Sequence, residues 1–191
     1  MGIFVSIPAI AIEWFCVVVT QLMETQTTIF ITAFFVIAPL EEYLKSLAVD
    51  IAGYSKNEEG NPRQILAWYF SAAIGFASIE NMLYYFVFGP HVFFYRILIS
   101  TIAHIACSGI IGYFIGTCYQ QEHSGFFRGF FLALLLHGIY DFSLKLFPNS
   151  LWFWVPVFIL IVCFLERKLE GGHSPSEEET PEEQKNLKES E

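Results

Sequence analysis

The sequence predicts an all-α, polytopic membrane protein, a bundle of about six transmembrane helices. Three observations carry that reading. Of the 191 residues 54% are hydrophobic and only 15% charged, and the mean hydropathy of +0.50 lies outside the range of a water-soluble domain of this size. The apolar residues fall into six runs, most long enough to cross a hydrocarbon core of roughly 30 Å, which needs about 20 helical residues. Polar and charged residues collect between those runs and in one terminal stretch.

In chain order the predicted spans are residues 3–23, 28–52, 65–88, 92–118, 126–147 and 151–165. The first has no positively charged lead and no small-residue cleavage site, so it reads as a membrane helix and not a removable signal. The last is short and holds Pro156, which predicts a kink or tilt. Trp68, Tyr69, Tyr84, Tyr85, Trp152 and Trp154 sit toward span ends, as an interfacial aromatic belt would. Cys16, Cys107, Cys118 and Cys163 stand singly, without CxxC spacing, and read as small apolar packing residues. Glu13, alone in the first span, reads as a carboxylate facing other helices.

The net charge of -9 is concentrated in the tail, so the integral part is near neutral, and nucleic-acid binding has no support. Residues 1–168 form the predicted membrane domain; 169–191 are acidic, free of aromatics, and predict a disordered cytoplasmic tail. Lys56, Arg63, Arg128, Arg167 and Lys168 fall on one side of a six-helix arrangement, with Arg96 and Lys145 toward the other. The positive-inside bias then places both termini in the cytoplasm of a cell-membrane protein.

Against this apolar background the ionisable residues stand out. Glu41 and Glu42 are adjacent carboxylates in the middle of a span, where an unpaired charge costs a few kcal/mol or more and marks a functional site by default. Lys45, Glu80, Asn81, His104, His137 and Asp141 follow on the next three spans and their own. Counted from one membrane face, Glu41, Glu80, His104 and His137 lie within about 8 Å of a common plane at 1.5 Å per residue. Glu41 with Lys45, Phe76 with Glu80, and His137 with Asp141 are each four residues apart and share a helix face. The prediction is a buried, hydrated polar cluster built by spans two to five.

That inventory suits peptide hydrolysis. Glu41 can take a proton from water, with Glu42 or Lys45 holding or tuning it. His104 and His137 can hold an oxyanion or bind a metal. With Glu80 they would make a His₂Glu set with an open fourth position, the ligation of a hydrolytic zinc site, and Glu41 would remain the base. Asp141, one turn from His137, does not readily reach the same ring and reads as a substrate-holding or supporting residue. The same groups could instead serve a proton- or divalent-cation-coupled transporter, or a non-catalytic membrane scaffold. No internal repeat or pair of interrupted helices, as transporters use, is present.

The motifs also carry a resemblance. Glu41-Glu42-Tyr43-Leu44-Lys45 fits EExxK, Phe76 to Asn81 fits FxxxEN, His104 stands alone in the next span, and His137 to Asp141 fits HxxxD. In this order, over residues 35–142, the chain resembles the PrsW family of intramembrane proteases, related to the CAAX-processing and bacteriocin-processing membrane proteases. Such proteins commonly carry a further helix ahead of the first one here. The resemblance implies a peptidase that clips a membrane-anchored protein, such as an anti-sigma factor, in or near the lipid bilayer. It implies an active site of Glu41, Glu42, Glu80, His104 and His137, supported by Lys45 and Asp141. Both metal-dependent and glutamate-type chemistry have been described for the family, which leaves zinc open.

Overall fold

The computed structural model describes residues 25–52, 61–118 and 122–171, together with Phe4 and Ser6. Glu13, Cys16, nearly all of the first predicted span and the acidic tail beyond Gly171 lie outside the described residues. Among the described residues every element is helical: α1 Gln26–Ala52, α2 Pro62–Phe88, α3 Pro90–Thr117, α4 Glu122–Leu146 and α5 Leu151–Gly171, the last preceded by a 3-10 turn at Pro148–Ser150.

Among the described residues four stretches are long and apolar enough to cross a membrane: Gln26–Ala52, Arg96–Thr117, Gly125–Leu146 and Pro148–Glu170. Helix α2 matches them in length, with 27 residues, about 40 Å. Its apolar character is diluted by Ser71, Ser78, Glu80 and Asn81. Glu80 and Asn81 are buried, so the dilution reflects what this helix brings to the interior.

The helix ends follow their local chemistry. Thr25 caps α1 by accepting from the Thr28 backbone N–H at 3.2 Å, and Asn61 caps α2 by accepting from Arg63 N at 3.0 Å and Gln64 N at 3.4 Å, with Pro62 in the first helical turn. Between α2 and α3, Gly89 adopts φ 85 and ψ 179, a region essentially restricted to glycine. Pro90 then opens α3 at once, so the chain reverses in one residue.

Helix α1 is not uniform. Ala33–Ile37 form a π-helical turn in which the Ala38 N–H bonds Ala33 O, five residues back. Pro39 follows immediately. Its ring would clash with the carbonyl four residues earlier in a regular helix and it offers no N–H; the widened turn accommodates both. Pro156, by contrast, leaves α5 continuous. The last span, expected to be short, is a helix that extends to Gly171, because Glu166 to Glu170 continue it beyond the apolar run.

Helix α3 is the centre of the bundle and contacts each of the others. Its small residues permit this: a Cβ on Gly112 would lie 3.0 Å from the Tyr69 side chain, and one on Gly116 would lie 2.8 Å from Pro62 Cα. The core joins Ile65, Tyr69 and Ala72 of α2 with Ala103, Ala106, Cys107 and Ile111 of α3, Tyr140 of α4, and Trp154 and Phe158 of α5. Tyr69 and Trp154 are thus core residues and not members of an interfacial belt. Trp154 stacks on Phe158 and its indole N–H donates to Ser143 Oγ at 2.7 Å, which meets the polar requirement of a buried indole. Trp152 and Tyr85 do face outward, with Phe35, Phe94, Phe127, Phe131 and Leu160, the lipid-facing surface of the bundle.

Candidate active site

Glu41, Glu42 and Lys45 lie within one turn of α1, and all three are buried. An ammonium group carries three N–H donors and no acceptor, and each donor of Lys45 has a partner. Nζ lies 3.2 Å from Glu41 Oε2, 2.8 Å from Glu42 Oε1 and 2.8 Å from His104 Nδ1. Because Nζ can only donate, His104 Nδ1 is the accepting nitrogen. Nε2 therefore bears the hydrogen and donates to Glu80 Oε2 at 2.8 Å.

Glu42 ties three helices together. Its Oε1 accepts from His137 Nδ1 at 2.9 Å in addition to Lys45, and Oε2 accepts from Ser108 Oγ of α3 at 2.7 Å. With both oxygens engaged and no exposure, Glu42 is a fastening for its neighbours. The bond from His137 Nδ1 to Glu42 leaves Nε2 facing Glu41 Oε2 at 3.8 Å and Asp141 Oδ2 at 3.5 Å. Asp141 approaches the ring of His137 without a hydrogen bond to it: one helical turn brings its carboxylate alongside Nε2 while Nδ1 turns toward α1.

Glu41 Oε2 is also 3.4 Å from His104 Nδ1. Glu41, His104 and His137 each offer one atom to a group in which all three lie within 4.8 Å of one another. Glu80 is placed differently from the His₂Glu set: it holds the far side of His104 and pairs with Arg96 through its other oxygen. Each imidazole is consequently backed by a second carboxylate, Glu80 behind His104 and Glu42 behind His137, the pattern that orients histidine ligands at metal centres. Asn81 stands apart. Its Nδ2 donates to Thr101 Oγ1 at 3.2 Å across the α2–α3 interface, and its Oδ1 has no partner among the described residues.

Arg96 and Ser108 enter the cluster without having been singled out as site residues. Arg96 pairs with Glu80 and lies over the Tyr84 ring, 3.5 Å from its centroid. The signal was a register: Arg96, Ser100, His104 and Ser108 follow at steps of four and line one face of α3. Side-chain exposure rises along the cluster, from 0% at Lys45 and Glu42 to 23% at Arg96 and 25% at Asp141. The approach from outside is therefore on the side of the α2–α3 reversal at Gly89 and the α4–α5 turn at Pro148–Ser150.

Four carboxylates (Glu41, Glu42, Glu80 and Asp141) face two cations outside the imidazoles (Lys45 and Arg96), so two further positive charges, from protonated imidazoles or a divalent cation, would balance the cluster. A deficit of that size in a poorly solvated site favours a divalent cation or bound protons. The donor set of two imidazoles and a carboxylate fits a zinc-class ion.

Helices α1 to α4 converge on two carboxylate-backed histidines and a third carboxylate, a buried polar centre in a helical membrane protein. The model of the PrsW family of intramembrane metalloproteases matches residues 1–165, and the chain belongs to that family. It is 34% identical over 139 residues to Protease PrsW of Oceanobacillus iheyensis, covering 70% of this chain and 64% of that one. It is 31% identical over 156 residues to Protease PrsW of Shouchella clausii, covering 78% and 73%. To Protease PrsW of Bacillus subtilis it is 28% identical over 139 residues, covering 71% and 64%. The chain thus spans about two thirds of the length of these relatives. No solved structure matches it.

Proposed function

We propose that this protein is an intramembrane endopeptidase that hydrolyses a peptide bond of a membrane-anchored protein. The observation that carries the reading is the group formed by Glu41, His104 and His137, with a second carboxylate fixing each ring. Membership of a family described as intramembrane metalloproteases supports it. Glu41 Oε2 is the atom that faces both imidazoles, and it is the proton acceptor for an attacking water when the residues work alone. His137, held through Nδ1 by Glu42, presents Nε2 toward the same space and can donate to a developing oxyanion when protonated.

The same three residues would hold a zinc ion, whose charge would offset the excess of carboxylates over cations. Such an ion supplies electrophilic polarisation of the scissile carbonyl. With Glu41 so engaged, Asp141, the most exposed carboxylate of the cluster, is the one placed to take the proton. Burial at Glu42 and Lys45 keeps bulk water from the closed end, while Arg96 and Asp141 border the end through which an unwound substrate segment would enter. An extended segment is required, since a helix keeps its carbonyls in its own hydrogen bonds. We further infer a cell-membrane protein with both termini cytoplasmic; the positive-inside bias of Lys56, Arg63, Arg128, Arg167 and Lys168 supports that orientation.

The test compares membrane proteomes of cells that express the wild type or Glu41→Gln. The wild type shortens one or a few single-pass proteins, and Glu41→Gln, folded and inserted to the same level, shortens none. Identical proteomes, with cation or proton uptake lost in Glu41→Gln, would replace this reading with a transporter; loss of neither would leave a scaffold.

A further inference from the structure

Lys45 occupies an unusual position for a helix-interior lysine. Two of its three hydrogen-bond acceptors, Glu41 Oε2 and His104 Nδ1, belong to residues of the three-donor group, and the third, Glu42 Oε1, does not. An imidazole nitrogen has one lone pair. His104 Nδ1 therefore cannot accept from the ammonium and coordinate a cation at the same time. Lys45 and a metal ion are alternatives at that atom.

We propose that Lys45 is a tethered cation that holds Glu41 and His104 together when no metal ion is bound and withdraws onto Glu42 when one binds. The proposal rests on the reading that Glu41, His104 and His137 hold a divalent ion. A retreat is built into the surroundings. Glu42 Oε1 lies 2.8 Å from Nζ and stays anchored by His137 and Ser108. The ring of Phe76 lies 4.6 Å from Nζ, close enough to hold an ammonium against its face. A lysine suits the role because its charge is compact and its four-carbon stem flexible, whereas an arginine would grip both carboxylates through a rigid fork. Without a resident cation Glu41 and Glu42, adjacent and buried, would repel one another whenever the ion is absent. The resident charge also lowers metal affinity, because each binding event must displace it.

The experiment uses the full chain in detergent, stripped of metal, with zinc as the probe. Zinc dissociation constants are measured by competition with a chromophoric chelator for the wild type, Lys45→Met and Lys45→Arg, together with melting temperatures before and after zinc addition. Lys45→Met is expected to bind one zinc about tenfold more tightly than the wild type, the scale on which groups surrounding a metal change its affinity. Its metal-free melting temperature falls below the wild type and recovers with zinc. Lys45→Arg binds zinc more weakly than the wild type. Should Lys45→Met fold only when expressed with zinc, the rate at which chelator removes the ion replaces the equilibrium measurement and is expected to be slower than for the wild type.

Unchanged or weaker zinc binding by Lys45→Met, or equal or tighter binding by Lys45→Arg, overturns the proposal while the ion site stands. If no form binds zinc while cleavage still depends on Glu41, the ion reading itself falls and takes the proposal with it.

Discussion

Glu42 of α1 and His137 of α4 are joined by a 2.9 Å hydrogen bond between two buried side chains. The same carboxylate also receives Lys45 and Ser108. Glu42→Ala leaves an ammonium, an imidazole N–H and a hydroxyl without their acceptor in a dry interior. Removing one partner of a buried ion pair costs about 3–5 kcal/mol. Denaturant unfolding in detergent is expected to register that loss for Glu42→Ala and a much smaller one for Ser108→Ala, which removes a single bond of about 1.5–3 kcal/mol to a charged acceptor.

Arg96 acts on His104 through Glu80. Arg96→Met leaves Glu80 Oε1 without its cation and loosens the carboxylate that positions the His104 ring, so cleavage of a single-pass substrate should fall while the helices still assemble. Arg96→Lys keeps the charge but loses the fork and the stack on Tyr84 and should be intermediate. In the double variant with Glu80→Gln the stability losses should be less than additive by about 0.5–3 kcal/mol, a coupling that independent structural roles would not give.

The glycines differ in what opposes a methyl group. On Gly116 it would meet the Pro62 backbone at 2.8 Å, and on Gly129 the Ile111 Cα at 2.8 Å. Neither obstacle can swing aside, and Gly116→Ala and Gly129→Ala should each cost about 1–3 kcal/mol. On Gly109 the nearest obstacle is the edge of the Phe70 ring, which can rotate, so Gly109→Ala should cost less. Thermal unfolding in detergent gives the order directly. Gly138→Ala would press on Phe34 at 2.6 Å, beside His137, and should lower cleavage more than stability.

Trp154→Phe removes the hydrogen bond to Ser143 and should cost about 1 kcal/mol. Cleavage should persist, because none of the cluster residues described above comes from α5. A loss of activity as complete as that of Glu41→Gln would show that α5 does more than brace α4.

The meeting of the four helices was legible in the sequence because the bilayer makes buried charge costly, so Glu41, Glu80, His104 and His137 had to answer for their positions. The i,i+4 spacing of Glu41 and Lys45 correctly put them on one face. Less could be read where spacing alone does not choose a rotamer. Glu80 is a natural third ligand by type, yet its carboxylate bonds Arg96 and the outer side of His104, and it is Glu41 that lies within 4.8 Å of both histidines' facing atoms. Arg96 stands in the sequence as a charge near a helix end, although its four-residue register with His104 is present. Tyr69 and Trp154 were misplaced because position along a span says nothing about which side of the helix faces lipid.

The π-turn at Ala33–Ile37 makes the length of that stretch as consequential as its composition. It holds one residue more than a regular helix would between the same two ends. Deleting any one of the five would leave that segment at regular-helix length, which keeps Phe30, packed on Phe142, in register with Glu41 but sets the Pro39 ring against the carbonyl four residues earlier and so displaces Glu41, two residues on. A single-codon deletion there should therefore disable the protein, even one that changes no side chain of the cluster.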